Sequence, residues 1–123
     1  MVKILIVDDE EIIRKMIKRV LSQKHSVPLE DIAEAEDGAK ALDILKNNSI
    51  IDLMITDTEM PVLNGYQLIK KSREEIGYHG RIIQTTGNPE KNKKADYANY
   101  YLLKPFDLDD FNKIISNYLS KED

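Results

Sequence analysis

Four short stretches of this chain gather residue types that chemistry can use: Asp8-Asp9-Glu10, Asp57, Thr85-Thr86-Gly87 and Lys104-Pro105. Each comes at or just behind the end of a short apolar run. Carboxylates brought together repel one another, and burying them is costly without a counter-ion. A hard divalent cation would offset that cost, and Mg2+ prefers oxygen ligands and keeps several waters. An ammonium and a hydroxyl at the same edge suit an incoming phosphoryl group, whose oxygens the cation, the lysine and the threonine would neutralise. The group left for covalent attachment is a carboxylate, as in aspartyl-phosphate chemistry.

The elements that must position these residues follow from the hydrophobic pattern. Ile4 to Val7, Ile32 to Ala35, Leu53 to Ile55, Ile82-Ile83 and Tyr100 to Leu103 are short runs bounded by charges, Gly or Asn, and read as strands. The first is continuously apolar, which suits a strand buried on both faces. Between them lie amphipathic stretches. Glu10 to Ser22 places Ile13, Ile17, Val20 and Leu21 on one face. Gly38 to Asn47 carries Ala41, Leu42 and Leu45 behind a candidate cap, Asp37. Gly65 to Ile76 carries Leu68, Ile69 and Ile76, and Asp107 is placed to cap a last helix lined by Phe111, Ile114, Ile115, Tyr118 and Leu119. The segment Asn88 to Ala98 has three Lys, two Asn and no Val, Ile or Leu, so at best it forms a short, poorly anchored helix. Alternation of this kind implies a parallel α/β sheet with helices on both faces. In such sheets ligands bind beyond the carboxyl ends of the strands, where the four stretches fall.

Composition removes other classes. A chain of 123 residues is a one-domain length and can bury a core without staples. With no Cys there is no disulfide scaffold, no thiolate zinc site and no thiol nucleophile. Two His, at 25 and 79, leave little for a His-rich metal centre and read as exposed loop residues. The longest uninterrupted apolar run is Ile4 to Val7, too short to insert in a membrane. The start at Met1 lacks the basic and apolar regions of a secretory signal, so a cytoplasmic protein is expected. A net charge of −4 argues against direct nucleic-acid binding.

The residues closely resemble the response regulator receiver family, the phospho-acceptor domains of two-component signalling. The resemblance rests on Ile4-Leu5-Ile6-Val7-Asp8-Asp9-Glu10, Asp57-Thr58-Glu59-Met60-Pro61 with Asn64-Gly65, Thr86-Gly87, and Tyr101-Leu102-Leu103-Lys104-Pro105-Phe106. It covers essentially all of residues 1–123 as one receiver domain. It implies a flavodoxin-like, doubly wound, five-stranded parallel sheet of order 2-1-3-4-5, with the fourth helix shortened. It implies that Asp57 accepts a phosphoryl group from the phospho-histidine of a sensor histidine kinase or histidine phosphotransfer protein. Asp9 and Asp57 would ligate Mg2+ with the backbone carbonyl of Glu59, and Asp8 would act through water. Lys104 and Thr86 would contact the phosphoryl group, with Thr58, Glu59 and Gly87 beside it. Tyr101 would follow Thr86 in a conformational switch towards an unidentified downstream protein. Glu59 and Asn88 would tune the lifetime of the adduct, and the Lys104–Pro105 bond would be cis.

Other readings stand beside these. Asp8 and Asp9 alone fit the cap region of the first helix, and Thr85 competes with Thr86, which is preferred because Gly87 follows it. Tyr101 also fits plain core, and Lys91, Lys93 and Lys94 a solvated face. Ile12 and Met16 either pad the core or, flanked by Arg14, Lys15, Lys18 and Arg19, form a docking patch for the phosphodonor. The 18 positions from Thr86 to Lys104 are about one helical turn, roughly four residues, fewer than receivers usually have. That shortening argues against dimerisation through the fourth helix, fifth strand and last helix, the family's usual output face. The 48 positions from Asp9 to Asp57 are more than usual, with the excess placed in Gln23 to Asp31. A glycine often found before the fifth strand is replaced near Tyr97-Ala98-Asn99. The end at Asp123 leaves no room for a DNA-binding output domain, so a stand-alone regulator or phosphorelay intermediate is expected. A receiver excised from a larger regulator or hybrid kinase is the alternative. The rivals of another class are a Mg2+-dependent aspartyl-phosphate phosphatase and a phosphorylation-independent interaction module. The phosphatase would need an Asp where Glu59 stands, and a cap. Receivers otherwise catalyse only their own phosphorylation and dephosphorylation.

Overall fold

The computed structural model describes residues 2–47 and 50–121. Met1 and Asp123, on which the expectations about the termini turn, lie outside them. The strands are β1 (Ile4–Val7), β2 (Ile32–Ala35), β3 (Leu53–Asp57), β4 (Arg81–Thr86) and β5 (Tyr100–Leu103). They form one parallel sheet in the order β2-β1-β3-β4-β5. The helices are α1 (Glu11–His25), α2 (Gly38–Asn47), α3 (Gly65–Lys71) and α4 (Leu108–Lys121).

The alternating direction of strand side chains explains why β1 is apolar throughout. Ile4 and Ile6 face a core with Ile17 and Leu21 of α1 and Phe111 and Ile115 of α4. Leu5 and Val7 face a second core with Leu42 and Leu45 of α2 and Leu68 and Ile69 of α3. The sheet is thus covered on both sides. Each fully buried Ile or Leu contributes roughly 1.5–3 kcal/mol of transfer free energy, which clamps β1 and β3 and fixes where their last residues emerge.

The helix ends follow the expected chemistry. Asp37 Oδ1 accepts from Lys40 N at 2.8 Å, and Asp107 Oδ1 accepts from Asp109 N at 2.9 Å. Asn64 and Gln67 form a reciprocal capping box at α3. α1 runs three residues beyond the expected Ser22 and stops at Ser26, in a left-handed conformation (φ 56°). A 3-10 turn, Leu29–Asp31, then follows Pro28 into β2. His25 is not an exposed loop residue: it ends α1, half-buried, and its Nε2 lies 2.8 Å from Asn112 Oδ1 on α4. α3 continues as a single π-type turn, Ser72–Ile76, closed by Gly77 at φ 75°.

The segment 88–98 forms no helix, a stronger departure than the shortening expected. Without a Val, Ile or Leu it has no apolar face to bury, and an unburied helix this short is not stable. It is nevertheless well anchored, by polar groups. The buried Gln84 side chain donates to Lys93 O at 3.0 Å and accepts from Ala95 N at 2.6 Å. The Tyr66 hydroxyl donates to Lys93 O and the Tyr101 hydroxyl to Asn92 O. Arg73 donates to Tyr97 O and Asn99 Oδ1, and Asn99 Oδ1 also accepts from Ile82 N at 2.8 Å. The side chains of Lys91 and Lys93 stay exposed, whereas the Lys94 ammonium folds back onto Ala95 O and Ala98 O.

Candidate functional site at the strand ends

The carboxyl ends of β1, β3, β4 and β5 open into one cleft of about 350 Å3 lined by Asp9, Glu10, Asp57, Glu59, Thr86, Gly87, Asn88 and Lys104. Larger depressions lie elsewhere, but this one collects the reactive groups. Asp57 is buried in its lining (7% exposed), Asp8 is buried next to it (1%), and Asp9 is exposed at its rim. The Lys104 ammonium bridges them, 2.7 Å from Asp8 Oδ2 and 3.4 Å from Asp57 Oδ2, with Glu10 Oε1 at 4.0 Å. Burial lowers the pKa of Lys104, but the hydrogen bond and charge of Asp8 outweigh it, so the ammonium is held above its ordinary value.

Asp57 is the frustrated group. Burial first, then the negative charge of Asp8, push its carboxyl up to about 6, against the pull of Lys104 and of a hydrogen bond from Thr58 N to Oδ1 at 2.9 Å. A close backbone approach fixes the loop behind it. Gly65 N donates to Thr58 O at 2.7 Å, and a Cβ on Gly65 would stand 2.2 Å from Asp57 O. Only glycine fits there. Arg14 reaches across from α1 to donate to Asp8 O at 2.6 Å while pairing with Glu34, which also holds Lys18. Two of the basic residues beside the Ile12/Met16 patch are therefore engaged. Met16 packs against the core, and Ile12 is 79% exposed.

The remaining site residues divide by orientation. The Thr86 hydroxyl accepts from Asn88 N at 3.0 Å and Asn92 Nδ2 at 3.3 Å beside the cleft, whereas Thr85 Oγ1 turns to Thr56 O. The Thr58 hydroxyl is taken up by Thr85 O and Gln84 Nε2, so its backbone N–H is the group it gives to Asp57. Glu59 is exposed and its carboxylate accepts from Asn92 Nδ2 at 2.6 Å. Gly87 is not sterically required, since a Cβ there would meet nothing closer than Lys104 Cβ at 3.9 Å. Tyr101 is half-buried, and the Lys104–Pro105 bond is cis. Asn92, Gln84 and Gly65 join this arrangement without a role in the sequence reading. Only Gly65, in the Asn64-Gly65 pair, stood in a recognisable motif.

The donor set fits a hard cation. Asp8, Asp9 and Glu10 offer carboxylate oxygens within 4.8 Å of one another, and Asp57 lines the same cleft as Asp9 and Glu10. Oxygen donors alone, in an acidic cleft, suit Mg2+ rather than a softer metal.

Comparison with known proteins gives a consistent picture. The family model described as response regulator receiver domain matches residues 4–116. A chemotaxis protein CheY homolog of Campylobacter jejuni is 37% identical over 109 residues, 85% of this chain and 82% of that protein. The sensor histidine kinase TmoS of Ectopseudomonas mendocina is 33% identical over 123 residues, 96% of this chain but 12% of the kinase. The solved structure of response regulator TrrA of Thermotoga maritima, in complex with Mg2+ and BeF, superposes with a TM-score of 0.80 at 29% identity, covering 95% of this chain and 98% of that one.

Proposed function

This chain belongs to the response regulator receiver family, and from that premise we propose that it accepts a phosphoryl group on Asp57 and signals by a change of conformation. The observation that carries the proposal is the buried Asp57 carboxylate, gathered with Lys104, Thr86 and Asp9 around one cleft. The donor is a phospho-histidine of a sensor kinase or phosphotransfer protein. The imidazole N–P bond breaks as an Asp57 O–P bond forms, and the imidazole leaves with the bonding electron pair. Asp57 must be ionised to attack, and a pKa of about 6 leaves it so at neutral pH. Lys104 stabilises the negative charge on the transferring oxygens, and the backbone N–H of Thr58 holds one carboxylate oxygen in place. Asp9, Asp57 and the Glu59 carbonyl would hold Mg2+, with Asp8 acting through water, and the ion would neutralise phosphoryl charge. The reading places the protein in the cytoplasm with its donor, and makes it a signalling protein rather than an enzyme acting on other substrates.

Thr86 and Tyr101 carry the response. A phosphoryl group adds charge and strong acceptor oxygens that the Thr86 hydroxyl can reach by turning into the cleft. Tyr101, whose hydroxyl rests on Asn92 O, then repacks, and the population shifts to a form with different partner affinity. Glu59 and Asn88 border the water path and set the lifetime of the adduct. The test is intact mass after incubation with Mg2+ and acetyl phosphate. A single adduct is expected, lost on chelation and in Asp57→Ala. An adduct that survives Asp57→Ala overturns the assignment.

A further inference from the structure

The carboxamide of Asn92 occupies an unusual position. Asn92 lies in the segment 88–98 that replaces a helix, yet it is 5% exposed. Its Nδ2 donates to Glu59 Oε1 at 2.6 Å and to Thr86 Oγ1 at 3.3 Å, joining two residues of the cleft to the loop. Its backbone closes the loop on itself, N–H to Asn88 O at 2.8 Å, and its carbonyl receives the Tyr101 hydroxyl. One residue therefore touches the proposed phosphoryl ligand Thr86, the acid Glu59 and the aromatic Tyr101.

We propose that Asn92 is a latch, a positioning residue that holds Thr86 and the 88–98 loop in the resting arrangement and is released when a phosphoryl group forms on Asp57. The inference rests on Asp57 being the acceptor. Two forces act on the latch at once. The bond to Thr86 is long, so a movement of that hydroxyl into the cleft of a few tenths of an ångström takes it out of hydrogen-bonding range. Negative charge gained at Asp57 repels Glu59, the other partner on the same cleft wall. Once both partners are lost, the loop is held by its anchors to Gln84, Tyr66 and Arg73, which do not line the cleft, and by the Tyr101 hydroxyl on Asn92 O. The element that responds is thus the loop around Asn92, and its resting state competes with phosphorylation for the Thr86 hydroxyl.

Competition makes a prediction that simple structural support does not. Removing the latch should favour the activated form, so Asn92→Ala should bind beryllofluoride with Mg2+ about five- to thirtyfold more tightly than the wild type, the worth of one or two net hydrogen bonds. Hydrogen exchange at the Asn92 amide should quicken at least tenfold when the wild type binds beryllofluoride, and should already be fast in Asn92→Ala without it. Asn92→Asp keeps the shape but replaces the donor with a charge facing Glu59. It should mimic Asn92→Ala, and adding Glu59→Gln, whose amide can donate in the opposite sense, should restore slow exchange at position 92 in the absence of beryllofluoride. Unchanged or weaker beryllofluoride binding by Asn92→Ala, loop exchange indifferent to beryllofluoride, or failure of Glu59→Gln to rescue Asn92→Asp would each overturn the latch while the wild type still forms its acetyl-phosphate adduct. A wild type with neither adduct nor beryllofluoride binding overturns the acceptor reading and the latch with it.

Discussion

Replacing Asp57 by Asn in the metal-free protein should stabilise the fold. Moving a carboxyl from 3.8 to about 6 corresponds to about 3 kcal/mol against its ionised form. The first cause is burial and the second the charge of Asp8, 1% exposed on the neighbouring strand end. An Asn side chain is neutral and nearly the same shape. Its Oδ1 can still accept from Thr58 N, and Lys104 keeps its shorter bond, 2.7 Å, to Asp8. The expected gain at pH 8 in chelator is therefore up to about 3 kcal/mol, or about 10 °C in Tm for a domain of this size.

The pH dependence has a definite sign. A carboxyl whose pKa is raised on folding holds its proton more tightly in the folded state. The stability from that proton is complete below the unfolded value of 3.8 and is lost as the pH rises through about 6. The advantage of Asp57→Asn should accordingly be largest at pH 8, fall by about half at pH 5, and be small near pH 4. Urea unfolding in chelator at these three pH values measures it. Millimolar Mg2+ should stabilise the wild type and narrow the gap, because a cation in the acidic cleft relieves the same repulsion. A variant no more stable than the wild type at pH 8, or an advantage that does not vary with pH, would refute the claim that Asp57 is held against its electrostatic preference.

Three further outcomes follow from other parts of the structure. Val62→Asn should raise the urea midpoint by the equivalent of about 1 kcal/mol with an unchanged slope, because Val62 sits at φ 71°, a left-handed conformation hard for a β-branched residue, and at 82% exposure it buries almost nothing that Asn would lose. Gln84→Ala should cost about 1–3 kcal/mol and speed hydrogen exchange at Ala95, since it strands Ala95 N and takes from Lys93 O one of its two donors, the Tyr66 hydroxyl being the other. Lys104→Met in chelator should cost about 3–5 kcal/mol by urea unfolding, and clearly less in an Asp57→Asn background, because it leaves Asp8 and Asp57 buried without their shared cation.

The parts of this structure that depend on periodicity were legible in the sequence. β1 had to be buried on both faces because Ile4 to Val7 leaves no polar side, and Asp37 and Asp107 cap where their spacing placed them. The clustering at the strand ends was legible because Asp8, Asp57, Thr86 and Lys104 each follow a short apolar run, and the parallel topology brings those ends together. The segment 88–98 was not legible. Its order comes from single hydrogen bonds to Tyr66, Arg73, Gln84 and Tyr101, up to 27 positions away in the chain, and such bonds leave no periodic trace. Asn92 resembled its solvated lysine neighbours for the same reason. His25 was misplaced because α1 runs further than its apolar stripe suggested, to reach Asn112.

The replacement of a helix by a hydrogen-bonded loop has an energetic consequence for the proposed switch. A helix packed on the sheet through an apolar face is held by many small contacts, and moving it breaks most of them together. The loop from Asn88 to Ala98 buries only Asn92 and Ala98 and is held by discrete bonds instead. Each is worth about 1 kcal/mol net, so the arrangement can give way one bond at a time. The two bonds of the Asn92 carboxamide together amount to roughly 2 kcal/mol, about a thirtyfold bias towards the resting form. A phosphoryl group need only outbid those bonds for Thr86 and repel Glu59 to reverse such a bias, without unfolding any helix or disturbing either core. On this reading the short segment between β4 and β5 moves the output of the domain from a packed helix face to a loop whose threshold is set by the residue at position 92.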